Sequence, residues 1–263
     1  MARVVALYRY PLKGFTPQSC DRLVVLPSSR VAGDRVLNLR FADAPVADDA
    51  WCRKYHGVVL ANTPGLALLH TEFDPDRSRL RIAVGSRTLA DEPLSDAGRA
   101  RIVQAMTDYV ESLDDNPLKE HPERLPLKLV GDGATSRYQD SRDGQVTLHS
   151  RATLAAAAEA LNDPALSEMR FRSNIAIEGV GAWEELSWAG RRVRIGEVTF
   201  DTIKPKVRCL ATHANPSTGV RDIEVMQTLV KAFEQKEPTL GVGMLTQGPG
   251  GRIALGDAVE VVE

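Results

Sequence analysis

One cysteine stands among cationic side chains in the run Lys204-Pro205-Lys206-Val207-Arg208-Cys209-Leu210-Ala211-Thr212, and the turn-forming stretch His213-Ala214-Asn215-Pro216-Ser217-Thr218-Gly219 follows directly. Positive charge at Lys206 and Arg208 favours a thiolate, the form that attacks electrophiles and binds soft metals. Packing as a small apolar residue is the alternative for any lone cysteine. Lys13 and Gly14 end the segment Tyr8-Arg9-Tyr10-Pro11-Leu12-Lys13-Gly14, where they offer an ammonium and an accessible backbone N–H to a phosphate. A strand exit with a solvated lysine is the plain alternative. Arg35 follows the turn Gly33-Asp34 and either pairs with its acidic neighbourhood or points a planar fork at a ligand. Arg170 and Arg172 precede the apolar run Ile175-Ala176-Ile177. A guanidinium there can clamp phosphate bidentately, and the Asn174 amide can read the edge of a heterocycle. Surface ion pairs are the competing use of both arginines. His213 serves either as an acid–base group or as a turn residue.

The composition bounds what these groups can be doing. Lys and Arg number 33 against 35 Asp and Glu, a net charge of −2, which argues against general nucleic-acid binding and leaves room for local basic clusters suited to a small anion. The three cysteines, Cys20, Cys52 and Cys209, are widely spaced and form no C-x-x-C pair or zinc-type cluster. The apolar run at Val4–Tyr8 is too short for a signal sequence or a membrane span. A reducing cytoplasm, no membrane and a monomer are expected. Neither a P-loop, a G-x-S-x-G nor an H-E-x-x-H pattern occurs, and the glycines at 241–243 and 248–251 read as hairpin turns without a dinucleotide fingerprint.

The elements that must position these residues are mostly short and β-prone. Val4–Tyr8, Arg22–Leu26, Arg35–Phe41, Leu66–Thr71 and Arg79–Val84 read as strands punctuated by Gly, Pro, Ser and Asp turns. Ser95 is placed to cap a helix whose apolar positions run from Ile102 to Leu113, ending at Asp114-Asp115-Asn116-Pro117. A charged, proline-bearing stretch from Lys119 to Pro126 marks the domain boundary. Beyond it, helices capped by Ser150 and Asp222 alternate with strands at Gln145–Leu148, Asn174–Glu178, Val193–Ile195, Val198–Ile203 and Val207–Thr212. The tail reads as strands Arg252–Leu255 and Ala258–Val262 around a Gly256-Asp257 turn.

Taken together the residues resemble a family. The blocks Tyr10-Pro11-Leu12-Lys13, Gly33-Asp34-Arg35, Phe171-Arg172-Ser173-Asn174-Ile175, Ala182-Trp183-Glu184-Glu185, Ile195-Gly196-Glu197-Val198, Arg208-Cys209, Asn215-Pro216-Ser217-Thr218-Gly219 and Gly256-Asp257 occur in an order similar to that of MOSC proteins with an N-terminal β-barrel domain, the group that includes the mitochondrial amidoxime-reducing component and its bacterial relatives. The resemblance implies a mainly β (α+β) fold of two β-barrel-like domains, residues 1–118 and 119–263, with a few peripheral helices. It implies that Cys209 ligates the molybdenum of a molybdopterin cofactor and that Lys13, Arg35 and Arg172 hold the pterin and its phosphate. Gly14, Asn174 and Arg208 complete the expected cofactor-binding set, and Asp143 and Gly144 join it by position. The cofactor is expected in the cleft between the two halves.

Departures from the family pattern are visible. Lys206 stands where many relatives carry a second cysteine, and Gly14 where a serine is common. A ferredoxin-type extension with clustered cysteines is absent, so a separate electron-transfer protein is expected as partner. Three functions remain open at this level. One is a molybdenum-dependent reductase of N-hydroxylated small molecules. Another is a carrier of molybdenum cofactor or of persulfide sulfur on Cys209. The third is a non-catalytic β module with a structural cysteine.

Overall fold

The computed structural model describes residues 1–262, and Glu263, the last residue of the expected second domain, lies outside them. The first part of the chain contains β1 (Ala2–Arg9), β2 (Gln18–Ser19), β3 (Arg22–Val25), β4 (Asn38–Arg40), β5 (Leu69–Asp74), β6 (Arg79–Val84) and β7 (Arg87–Pro93). Helix α1 (Asp96–Glu111), β8 (Lys128–Val130), β9 (Val146–Ser150), α2 (Arg151–Ala160), β10 (Ile175–Glu178) and β11 (Arg192–Ile195) follow. The chain ends with β12 (Val198–Val207), α3 (Val225–Ala232), β13 (Thr239–Gln247), β14 (Gly251–Ala254) and β15 (Ala258–Val261).

Seven strands close into a barrel in the order β1-β10-β9-β13-β12-β11-β15, with β15 pairing back onto β1. Only the β9–β10 neighbours are parallel, and α2 makes the crossover that a parallel pair requires. Ser150 caps α2 as expected, accepting from the Ala152 and Thr153 N–H groups. Closure removes the open edges of the sheet, and the interior fills with Val4, Leu7, Val146, Ile175, Val193, Phe200, Val242 and other buried apolar side chains. The second body combines the antiparallel meander β5-β6-β7, the ladder β4–β8 and helix α1, whose Ile102, Met106 and Val110 are buried against Leu80 and Ile82. Ser95 caps α1, accepting from the Gly98 N–H. The mainly β expectation therefore holds, with one closed barrel, smaller open sheets and three α-helices among the described residues.

The two cores do not divide the chain at 118/119. Barrel strand β1 comes from the N-terminus, and β3 pairs with β14 near the other end. Leu118, Leu127 and Leu129 lie instead in the core of the meander body. The chain thus starts in the barrel, leaves to build the second body, and returns after β8.

Local differences follow from backbone chemistry. The expected strand at Leu66–Thr71 begins with a 3-10 turn, Pro64–Leu68, because Pro64 suits a helical start and lacks a ladder donor. Strand β7 was not foreseen. Two expected strands around Lys204 are one ten-residue strand, β12, followed by a 3-10 turn at Leu210–His213. Asp222 does not cap α3; Glu224 holds that position without a side-chain bond, and Asp222 pairs with Arg170. The glycines 241–243 lie inside β13, not in a hairpin. Gly241 has φ +71, and a Cβ there would lie 2.2 Å from the Leu148 carbonyl oxygen. The β12–β13 register slips at this point, between Pro205 and Val207, as a bulge requires.

Candidate functional site

Cys209 follows β12 directly and occupies the residue before the turn Leu210–His213, with extended backbone at φ −137 and ψ 178. Its carbonyl accepts from both the N–H and the Oγ1 of Thr212, at 2.9 Å each. Arg170 pins the far end of the same turn. Its Nη1 donates to the Thr212 and His213 carbonyls at 3.3 and 2.9 Å, and its Nη2 meets both Asp222 oxygens at 2.8 and 3.0 Å. Arg208 holds the near end: its Nη1 donates to the Phe171 carbonyl at 2.7 Å, and its Nη2 to that of Leu240. Burial pushes Arg208 down to about 10, although the charge of Cys209 works the other way. With those bonds made, Arg208 shapes the wall behind the thiol.

The half-buried thiol opens onto a cavity between the barrel rim and the second body. Seven cationic side chains line it, Lys13, Arg35, Lys54, Arg170, Arg172, Lys206 and Arg208, against one carboxylate, Asp140. Lys13 is 2% exposed; its Nζ donates to the Cys52 and Gln139 carbonyls at 3.3 Å each and lies 3.7 Å from Asp140. Burial pushes its pKa down. Gly14, next along, has φ +81, and a Cβ would lie 2.6 Å from Val59 Cα. Only a residue without Cβ lets the loop close on Val59 and bring Lys13 inward.

Arg35 and Arg172 both stack on the buried Tyr10 ring, at 4.7 and 4.5 Å from its centroid. Both have left-handed backbones, φ 50 and 53, a conformation that side-chain-bearing residues adopt where the surroundings impose it. Arg35 bonds Asp34 at 2.5 Å, while Arg172 donates to the Phe15 carbonyl. Burial, with the like charge of Arg35, pushes Arg172 down; Arg35 is also opposed by burial, but Asp34 raises it on balance.

Asp140 keeps 59% of its side-chain surface because the cavity itself is open, yet protein atoms surround it on the other sides. Burial pushes its carboxyl up, but Lys13, Arg35, Arg172 and Lys206 outweigh this and hold it at about 2. Lys206 donates to Gln145 Oε1 at 3.0 Å, and burial brings its pKa down to about 8. Lys54 arrives from the other lobe. Buried Arg40 bonds the Ala47 and Ala50 carbonyls, and Trp51 Nε1 bonds the Gln139 carbonyl, which together fix the loop that bears it. Burial works against the Lys54 charge, but the neighbouring Cys209 sulfur, chiefly through its charge, raises its pKa on balance. Such a cationic cavity with a single acid is built for an anion, and phosphate is the anion arginine forks and lysines hold best.

Of the residues singled out in the sequence, Lys13, Gly14, Arg35, Gly144, Arg172, Arg208 and Cys209 meet in this cavity. Asn174 does not reach it. Its amide is consumed behind the wall, donating to the Tyr8 carbonyl and Asp34 and accepting from the Thr147 N–H and hydroxyl, so it has no group left for a heterocycle. Asp143 is exposed and lies outside the lining. Asp140, three residues earlier, is the carboxylate that faces the cations. Lys54 and Gln139 were missed because each lies in an irregular loop with no periodic neighbour to mark its direction. His213 is buried in the turn; its Nε2 accepts from the Met226 N–H, so it acts as a turn residue.

Residues 135–260 match the family model described as the MOSC domain. Over that stretch, just under half of its length, the chain is similar to MOSC domains. Strands β9 to β14 and all but the last residue of β15 fall inside the matched region, as do Gly144, Arg172, Arg208 and Cys209. Among curated relatives, the mitochondrial amidoxime-reducing component 1 of Mus musculus is 35% identical over 99 residues, covering 34% of this chain and 28% of that protein. Molybdenum cofactor sulfurase 2 of Culex quinquefasciatus is 34% identical over 76 residues, covering 28% of this chain and 10% of that protein. In both cases the match spans less than a third of the relative's length. Among solved structures, the YuaD protein of Bacillus subtilis superposes with a TM-score of 0.43 at 11% identity, over 98% of this chain and 93% of that one. YiiM from Geobacillus stearothermophilus does so with a TM-score of 0.33 at 16% identity, over 45% of this chain and 54% of that one.

Proposed function

We propose that the interlobe cavity binds a molybdenum–pterin cofactor and that the protein reduces N-hydroxylated small molecules. The observation that carries this is one thiol and seven cations against one carboxylate in a single cavity. The residues present suit the group. Cys209 supplies the soft donor that molybdenum favours. Among the described residues no three His, Cys, Asp or Glu side chains gather as a site for a bare ion, which suits a metal arriving with its own sulfur ligands. Lys13, Arg35 and Arg172, all on the cavity wall, would hold the phosphate and pterin edge.

When bound, the cofactor supplies a two-electron centre able to take oxygen from an N–O bond. The chain's own groups then orient and protonate. Lys54 steadies the Cys209 sulfur, and Arg170 fixes the turn that carries it. Lys206 Nζ holds a proton at the cavity wall, where it would supply one of the two that a two-electron N–O reduction consumes in making water, the other coming from solvent. The electrons would come from a separate redox protein. Support for the substrate class is the likeness of part of the chain to a protein named for amidoxime reduction.

The test is turnover of an aryl amidoxime by cofactor-loaded protein with an artificial electron donor. Reduction abolished by Cys209→Ser supports the proposal. Cofactor that is bound and passed to another apo-enzyme, with no turnover, would replace it with the carrier reading.

A further inference from the structure

A second cavity, of about 630 Å³, adjoins the cationic one and is not used by the reading above. The two meet at Leu60, Arg170 and Arg172, which line both. Its walls come from the exposed edges of two sheets, β2 on the barrel side and β5 on the meander side. Between the cavities runs the turn after Cys209: Ala211 and Thr212 face the first, Ala214 the second. Four residues of 3-10 helix rise only ~8 Å, so the thiol and the second cavity are separated by about one small molecule's length.

The chemistry of the second cavity differs from that of the first. Pro17, Leu60, Ala67, Met169 and Pro216 give it apolar surface beside the polar His70, Glu72 and Asp74, with Thr16 and Thr71 hydroxyls bonded to each other at 3.1 Å across one side. Its volume falls within the ~300–1,000 Å³ typical of pockets for organic ligands. Arg172, the other arginine of the shared wall, stands between this cavity and the cationic one. A largely apolar chamber that shares its wall with a cationic cleft suits a molecule with an apolar body and an oxygen-bearing end.

We propose that this second cavity seats the non-reacting aryl or alkyl body of the substrate, with its N–O end turned past Arg172 into the cationic cleft. The inference rests on the reductase reading and names the substrates within it: N–O compounds carrying a ring-sized apolar group, in preference to hydroxylamine itself.

Met169→Trp and Thr16→Trp, both at partly exposed positions, fill the cavity from opposite sides. Cofactor-loaded wild type and both variants are compared by molybdenum content, by calorimetric binding of an aryl amidine, which lacks the N–O bond and cannot react, and by KM for the matching aryl amidoxime. The loss of one buried ring's contacts predicts amidine binding weakened about tenfold or more in both variants at equal molybdenum content. It also predicts a KM for the aryl amidoxime raised by about the same factor relative to that for hydroxylamine. Amidine that binds wild type no more tightly than both variants overturns the proposal, whatever the turnover. Loss of amidine binding in both variants supports the apolar site even if wild type reduces no N–O compound, a result that would remove the reductase reading alone.

Discussion

Replacing Arg170 with methionine tests how the thiol is held in place. The Arg170 side chain is 2% exposed and that of Asp222 29%, and together they form the charged clamp on the turn Leu210–His213. Breaking a buried pair from one side typically destabilises by ~3–5 kcal/mol. Asp222 keeps partial access to water, which places its share at the low end, ~2–3 kcal/mol. The Thr212 and His213 carbonyls lose a donor as well, at about 1 kcal/mol each. The sum is about 4 kcal/mol, a large part of the ~5–15 kcal/mol that stabilises a typical domain. Urea unfolding measures it: with a slope of ~2–3 kcal/mol/M, the midpoint falls by roughly 1.5–2 M. Arg170→Lys keeps the charge without the planar fork and should lose about half as much. A loss under about 1 kcal/mol in Arg170→Met would show that the turn stands without its clamp and refute the reasoning.

Three further outcomes follow from the geometry. Gly14→Ala combines a left-handed backbone with a 2.6 Å approach to Val59 Cα, so it should destabilise by ~2–4 kcal/mol in urea unfolding and lower bound cofactor with it. Glu168 is 13% exposed; burial pushes its carboxyl up, but His149, Arg151 and Tyr8 hold it at about 2 against the ordinary 4.5. Its stabilisation, about 3 kcal/mol, is therefore complete above pH 4.5 and disappears as pH falls towards 2, and Glu168→Gln should flatten that acid limb in a pH series of unfolding midpoints. Lys206 carries its charge below about pH 8 and loses it above, so inorganic phosphate should bind the cofactor-free cleft roughly fivefold more weakly at pH 9.5 than at pH 7. Lys206→Arg should remove that step, as read by calorimetry at the two pH values.

What could be read in advance depended on how local the cause was. Strand β6 matched its expected bounds, Arg79–Val84, because its apolar residues and flanking turns are all within ten residues of each other. The caps at Ser95 and Ser150 are likewise complete in four residues. A barrel was expected, but which strands close it was not legible, since β1 meets β10 and β15 only after the intervening chain has folded. Gly241 misled for a related reason: a glycine that permits a bulge inside a strand looks the same in sequence as one that ends a strand. The site divides along the same line. Lys13, Arg35, Arg172 and Cys209 were legible as chemistry beside turns, and the fold brings them together. Asn174 carries equally suitable chemistry, but its position at the base of β10 commits the amide to barrel carbonyls and Thr147. Lys54 could not be assigned to the thiol because two buried anchors, Arg40 and Trp51, decide where its loop lies.

Elemental and pterin analysis of the protein purified from a host that makes molybdenum cofactor, wild type beside Cys209→Ser, addresses the central claim most directly. The account predicts near-stoichiometric molybdenum and pterin in wild type, with the metal lost or sharply reduced when the sulfur becomes oxygen. Wild type that carries neither, or a serine variant that keeps both unchanged, would contradict it.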